Sequence, residues 1–104
     1  MDLLVSKSAA KFLDKLSAKD ATKLREKLAA LLNAIEQDGT VPFHELDIKV
    51  LKGDWNGFLR MRVGKIRIIF YIDIDADQLQ IYNIDYRGNI YQPFKQSSWN
   101  LTIR

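Results

Sequence analysis

The chain has 104 residues, 47% of them hydrophobic and 28% charged, the size of one domain with enough apolar side chains to close a core. It has no cysteine and a single histidine, His44, which excludes disulfides, thiolate catalysis, zinc fingers, iron–sulfur clusters, a histidine-rich metal site and a two-histidine ribonuclease mechanism. The formal net charge of +3 is unevenly spread: residues 1–48 carry seven basic and eight acidic side chains, residues 49–67 six and one, and residues 68–104 three and four. One short segment carries the whole excess. The apolar start covers only Leu3–Val5 and the longest apolar run is Ile68–Ile72. Both are too short for a signal peptide or a membrane span. A soluble, cytoplasmic protein is expected, with residues 1–104 forming one domain and no membrane partner.

In chain order, residues 2–5 are a candidate first strand. Ser6 or Ser8 is suited to N-cap a first helix whose apolar face holds Phe12, Leu13 and Leu16, because a serine hydroxyl satisfies an orphan backbone N–H. Ser17 is suited to cap a second helix, with Asp20 as a partial capping box. That helix is expected from Ala18 to about Gln37. Leu24, Leu28, Leu31, Leu32 and Ile35 repeat at helical spacing along it, so one stripe faces a core. Gly39 ends it and Pro42 bars its continuation.

The period then changes. Residues 58–63, 66–73 and 79–86 are rich in β-branched and aromatic side chains. Gly64-Lys65 suits a two-residue type II′ turn with glycine first, and the polar stretch 75–78 joins the next pair. A three-strand antiparallel meander follows. Residues 2–5 or about 47–51 are expected to add a further strand, because a small sheet needs more partners in water. The expected fold is α+β, an N-terminal helical hairpin packed on one face of a curved, mainly antiparallel sheet of four to five strands.

The turn sets the register. Val63 then opposes Ile66, Arg62 opposes Arg67 and Met61 opposes Ile68. Alternation sends Leu59, Met61 and Val63 to the helix side, and Phe58, Arg60 and Arg62 to the other. Like charges directly opposite on a sheet are destabilising, so an anion is expected to rest on Arg60, Arg62 and Arg67. Arginine suits phosphate because its planar fork donates two hydrogen bonds at once. Lys49 and Lys52 lie just upstream, placed to line the same concavity. A solvated basic face, with arginine stems covering apolar surface, is the alternative. Arg87 and Tyr91 follow the third strand; Tyr91 is either a buried anchor or a ring on which a base stacks.

These residues resemble the RelE/ParE superfamily of bacterial toxins. The resemblance lies in LKG at 51–53, FLRMRVGKIRIIFY at 58–71 and YRGNIY at 86–91, together with the preceding helical hairpin, and covers roughly residues 2–91. It implies the fold above. It also implies a ribosome-dependent mRNA endoribonuclease silenced by a cognate antitoxin, with no cofactor and no metal. The fold is shared with ParE-like inhibitors of DNA gyrase and allows non-catalytic RNA- or antitoxin-binding members, so these remain alternatives. By the same resemblance, Arg62 and Arg67 match arginines that stabilise the scissile phosphate. Arg60 falls where RelE has a catalytic lysine, and Lys49 where some relatives place a glutamate general base. Arg87 matches an arginine before the terminal motif, and Tyr91 a tyrosine that orients the mRNA base. Lys52 and Lys65 are expected to contact RNA. Phe58 and Asp85 depart from the pattern, standing where RelE has a lysine and an arginine.

The chemistry has its own demands. Metal-free RNA cleavage uses the 2′-hydroxyl as nucleophile on the adjacent phosphate. It needs a proton acceptor, positive charge on the pentavalent phosphate and an acid for the 5′-oxygen. Arg62 and Arg67 are placed to supply the charge. Lys49 and Tyr91 are proton carriers only if neighbouring cations shift their protonation, and His44 is the alternative base. Residues 92–104 form a tail in which Trp99, Leu101 and Ile103 alternate, as an edge strand or a covering flap would require.

Overall fold

The computed structural model describes residues 1–88 and 99–102. Ser6 closes the first strand and opens the first helix. Its backbone is extended and its hydroxyl accepts the Ala9 N–H at 3.2 Å, while donating to the Tyr82 carbonyl at 2.7 Å. The elements run β1 (Asp2–Ser6), α1 (Lys7–Lys15), α2 (Ala18–Asp38), β2 (Ile48–Val50), a single 3-10 turn (Gly53–Trp55), β3 (Leu59–Val63), β4 (Ile66–Asp73), β5 (Gln78–Tyr86) and β6 (Trp99–Thr102). Ser17 caps α2 through the Asp20 N–H. Gly39 ends it in the left-handed region at φ 70°, donating to Ile35, a conformation glycine enters without a Cβ penalty.

The strands form one sheet in the order β2-β3-β4-β5-β1-β6. Residues 2–86 supply five strands, both candidate segments for the extra strand being used, and β6 adds a sixth. The β6 backbone pairs antiparallel with β1, the edge-strand alternative for that part of the tail. One pairing is parallel, β1 against β5, because α1 and α2 intervene between β1 and the meander. Gly64 has φ 61° and the register is the expected one, with Arg62 opposite Arg67. Among the described residues, no helix is long and apolar enough to cross a membrane.

Leu24, Leu28, Leu31 and Leu32 of α2 share one apolar cluster with Val5, Met61, Ile68, Phe70, Leu79, Ile81 and Ile84 of the sheet. Phe12, Leu13, Leu16 and Ile35 pack against it partly buried. A bulge at Tyr82 makes that cluster possible. Phe70 pairs with Ile81 but Ile69 pairs with Asn83, so Tyr82 is the extra residue. Two-residue alternation from Ile81 would turn Ile84 outward; the bulge restores it to the core. The Ser6 hydroxyl binds the carbonyl of this extra residue, joining β1, β5 and α1 at one buried atom. Ser6→Ala removes the helix cap and leaves the Tyr82 carbonyl without that donor. It should lower the unfolding free energy by about 1–3 kcal/mol, measured by urea denaturation.

Candidate anion-binding site

The face of the sheet opposite the helices is organised in three rows, each two residues or about 7 Å apart along the strands. The first runs Asp47, Arg62, Arg67, Asp85; the second Lys49, Arg60, Ile69, Asn83; the third Phe58, Tyr71, Gln80. The Gly64-Lys65 turn fixes the first row. The bulge fixes its far end, because it returns Asp85 to the face that carries Arg67.

The first row is largely neutralised from within. Asp47 precedes β2 with φ 53°, a conformation aspartate tolerates better than most residues. The Arg62 N–H donates to its carbonyl at 3.1 Å, and the Arg62 Nε–H donates to its carboxylate at 2.5 Å. The hydrogen bond from Arg62 holds the Asp47 carboxyl below the usual aspartate range, and the charges of Arg62, Arg60 and Arg67 act in the same sense. The anion expected at the arginine pair is thus supplied in part by the chain itself. Arg67 turns back on the hairpin, where Nη1 donates to the Gly64 carbonyl at 2.8 Å and the Ile66 carbonyl at 3.2 Å. Asp85, directly across from Arg67, accepts the Tyr86 N–H at 2.7 Å.

The second row is not neutralised. Lys49 lies directly across from Arg60, a second like-charge pair. Among the described residues no carboxylate pairs with Lys49, Lys52 or Arg60. A concavity of about 440 Å³ opens here, lined by Lys49, Val50, Leu51, Lys52, Arg60 and Arg67. A second, also about 440 Å³, is lined by Gly64, Lys65, Arg67, Tyr86 and Arg87. Arg87 reaches it because its N–H donates to the Lys65 carbonyl at 3.0 Å across the hairpin turn. Arg67 is common to both. The two concavities therefore form a continuous basic surface suited to successive phosphates of one strand.

Of the residues singled out from the sequence, Lys49, Lys52, Arg60 and Arg67 meet in the first concavity, and Lys65 and Arg87 join Arg67 in the second. Arg62 lines neither and is held by Asp47. His44 is exposed on the turn before Asp47 and lines neither. Tyr91 lies outside the described residues, as does Ile103. Sequence reasoning missed Asp47. Its signal was its position in the Arg62 row, one residue before a strand of lysine and apolar residues.

Neutralising Asp47 should release Arg62. Asp47→Asn is expected to raise affinity for a single-stranded polyanion. It should also steepen the dependence of log affinity on log salt by up to about 0.7, the value of one added phosphate contact. A salt titration of binding checks both. In the wild-type chain the depressed carboxyl contributes stability that is present above the unfolded aspartate range and is lost as pH falls through its folded value. NMR titration of Asp47 should show that value below 3.8.

No family model matches the chain, and no curated protein matches it. Solved structures do. The chain aligns with a RelB–RelE antitoxin–toxin complex from Methanococcus jannaschii at a TM-score of 0.60 and 22% identity, over 88% of this chain and 98% of that one. A YoeB/ParE toxin from Agrobacterium tumefaciens aligns at 0.64 and 18%, over 84% and 99%. The isolated E. coli RelE toxin aligns at 0.62 and 13%, over 86% of each chain. The two-helix hairpin on an open, mostly antiparallel sheet is the fold of these RelE/ParE toxin structures.

Proposed function

We propose that this chain is the toxin of a toxin–antitoxin pair and acts as a ribosome-dependent mRNA endoribonuclease in the cytoplasm. The observation that carries this reading is the cationic concavity lined by Lys49, Lys52, Arg60 and Arg67, where no carboxylate pairs with Lys49, Lys52 or Arg60 among the described residues. It lies on the sheet face opposite the helices, in a fold shared with toxins whose structures were solved as toxin–antitoxin complexes. By analogy a cognate antitoxin binds this chain.

In this reading the scissile phosphate rests between Arg60 and Arg67. The 2′-hydroxyl of the preceding ribose attacks the phosphorus, a cyclic phosphate forms, and the 5′-oxygen leaves with a proton. Arg60 and Arg67 stabilise the charge that grows on the phosphate, the contribution that commonly dominates such catalysis. Arg87 and Lys65 hold the next phosphate from the second concavity. Lys49 and Tyr91 are the proposed proton carriers, and Arg62 adds charge when substrate displaces Asp47. The ribosome supplies what so sparse a site lacks, a substrate held in the geometry of in-line attack.

Induced expression followed by mapping of mRNA ends tests the reading. The wild-type chain should arrest growth and cut translated messages. Arg60→Ala and Arg67→Ala should each lower cleavage by about two orders of magnitude or more while the protein still folds. Growth arrest with intact mRNA and inhibited DNA supercoiling would overturn the nuclease assignment in favour of a gyrase poison.

A further inference from the structure

Phe58 and Tyr71 of the third row belong to an aromatic group with Trp55 and Tyr82. The ring centroids of Trp55 and Phe58 are 5.4 Å apart, those of Phe58 and Tyr82 5.4 Å, and those of Trp55 and Tyr82 5.7 Å. All three pairs meet edge to face, which holds the rings against one another. Tyr71 extends this group outward, its ring 5.5 Å from Phe58 and tilted by 55°. It is 37% exposed. It lies over Gly57, where even a Cβ would sit only 3.7 Å from its ring. Tyr71 is therefore a partly solvated ring on a rigid aromatic base.

Its position gives that ring a use. Arg60 pairs with Ile69, so Tyr71 is the diagonal neighbour of Arg60, at roughly 7–8 Å between Cα atoms. That is about the reach from a nucleotide's phosphate to its base. Every base has a π-face, so such a ring binds single strands without reading their sequence. The tyrosine takes no part in the apolar cluster between helices and sheet, which closes on the opposite face; on its own face Ile69 is fully buried, whereas Tyr71 keeps its ring partly in solvent. Charge favours a polynucleotide over an apolar peptide, because the neighbouring concavity holds Lys49, Lys52 and Arg60, none of which pairs with a carboxylate among the described residues.

We propose that Tyr71, backed by Phe58 and Trp55, is a stacking platform for one base of single-stranded RNA whose phosphate lies over Lys49, Lys52 and Arg60. The inference rests on the RNA reading of the concavity. Binding of 2′-O-methyl oligonucleotides, which lack the attacking hydroxyl, tests it against an abasic oligomer of equal length and charge at one fixed salt concentration. The wild-type chain should prefer the base-bearing strand by on the order of tenfold to a hundredfold. Tyr71→Ala should abolish that preference yet bind the abasic strand like wild type, which also shows that it folds. Tyr71→Phe should keep the preference, and Arg60→Ala should weaken binding of both strands alike. If wild type binds both strands equally, or Tyr71→Ala keeps the preference, the platform is wrong and the cation site stands. If neither strand binds, the RNA reading itself falls.

Discussion

Setting Arg62 across from Arg67 raises the free energy of the β3–β4 hairpin, and the surrounding structure is arranged around that cost. The hairpin cannot slip to avoid it. Moving β3 by one residue would turn Met61 and Val63 out of the core and bring Arg60 and Arg62 in. Burial on one face therefore enforces repulsion on the other. The chain answers at the start of β2, where Asp47 accepts both the backbone and the side chain of Arg62. Arg67 is drawn back against the hairpin carbonyls. What remains uncompensated lies one row away, at Lys49 and Arg60, and there the surface is concave.

The bulge at Tyr82 does for β5 what the glycine turn does for β3 and β4. It lets Leu79, Ile81 and Ile84 face the same core although their spacing changes from two to three. It also selects what meets the arginine face, putting Asn83 and Asp85 there. Ser6 binds the carbonyl that this irregularity displaces, so the helical layer is joined to the sheet where the sheet departs from regular pairing. Core packing and site electrostatics are thus set by the same local distortion.

Much of this was legible in the amino-acid order. Capping serines, the leucine stripe of α2, Gly39 and the Gly64-Lys65 turn each act over a few residues, so their outcome follows from neighbours. The register of β3 against β4 is equally local, and with it the shared face of Arg60, Arg62 and Arg67. Asp47 and its pairing were not legible. They depend on β2 docking against β3 and on a left-handed backbone at a non-glycine residue. The aromatic group was hidden for a similar reason: Phe58 precedes β3 while Tyr71 and Tyr82 come from β4 and β5, and the bulge breaks the parity by which Tyr82 would be placed. The parallel β1–β5 pair joins segments 76 residues apart, which no local pattern encodes.

That distant pairing has a consequence for how the molecule comes into being. β1 is an interior strand, hydrogen-bonded to β5 on one side and β6 on the other, yet it precedes both in the chain. Its partners follow the helical hairpin, β2, β3 and β4. The helical hairpin and the β3–β4–β5 meander can each organise from near neighbours, but Val5 and Ser6 reach their final surroundings only after a loop of more than seventy residues closes. Such closure makes assembly slower than the helical content alone would suggest. The basic face can thus be organised on the meander before β1 is captured between β5 and β6.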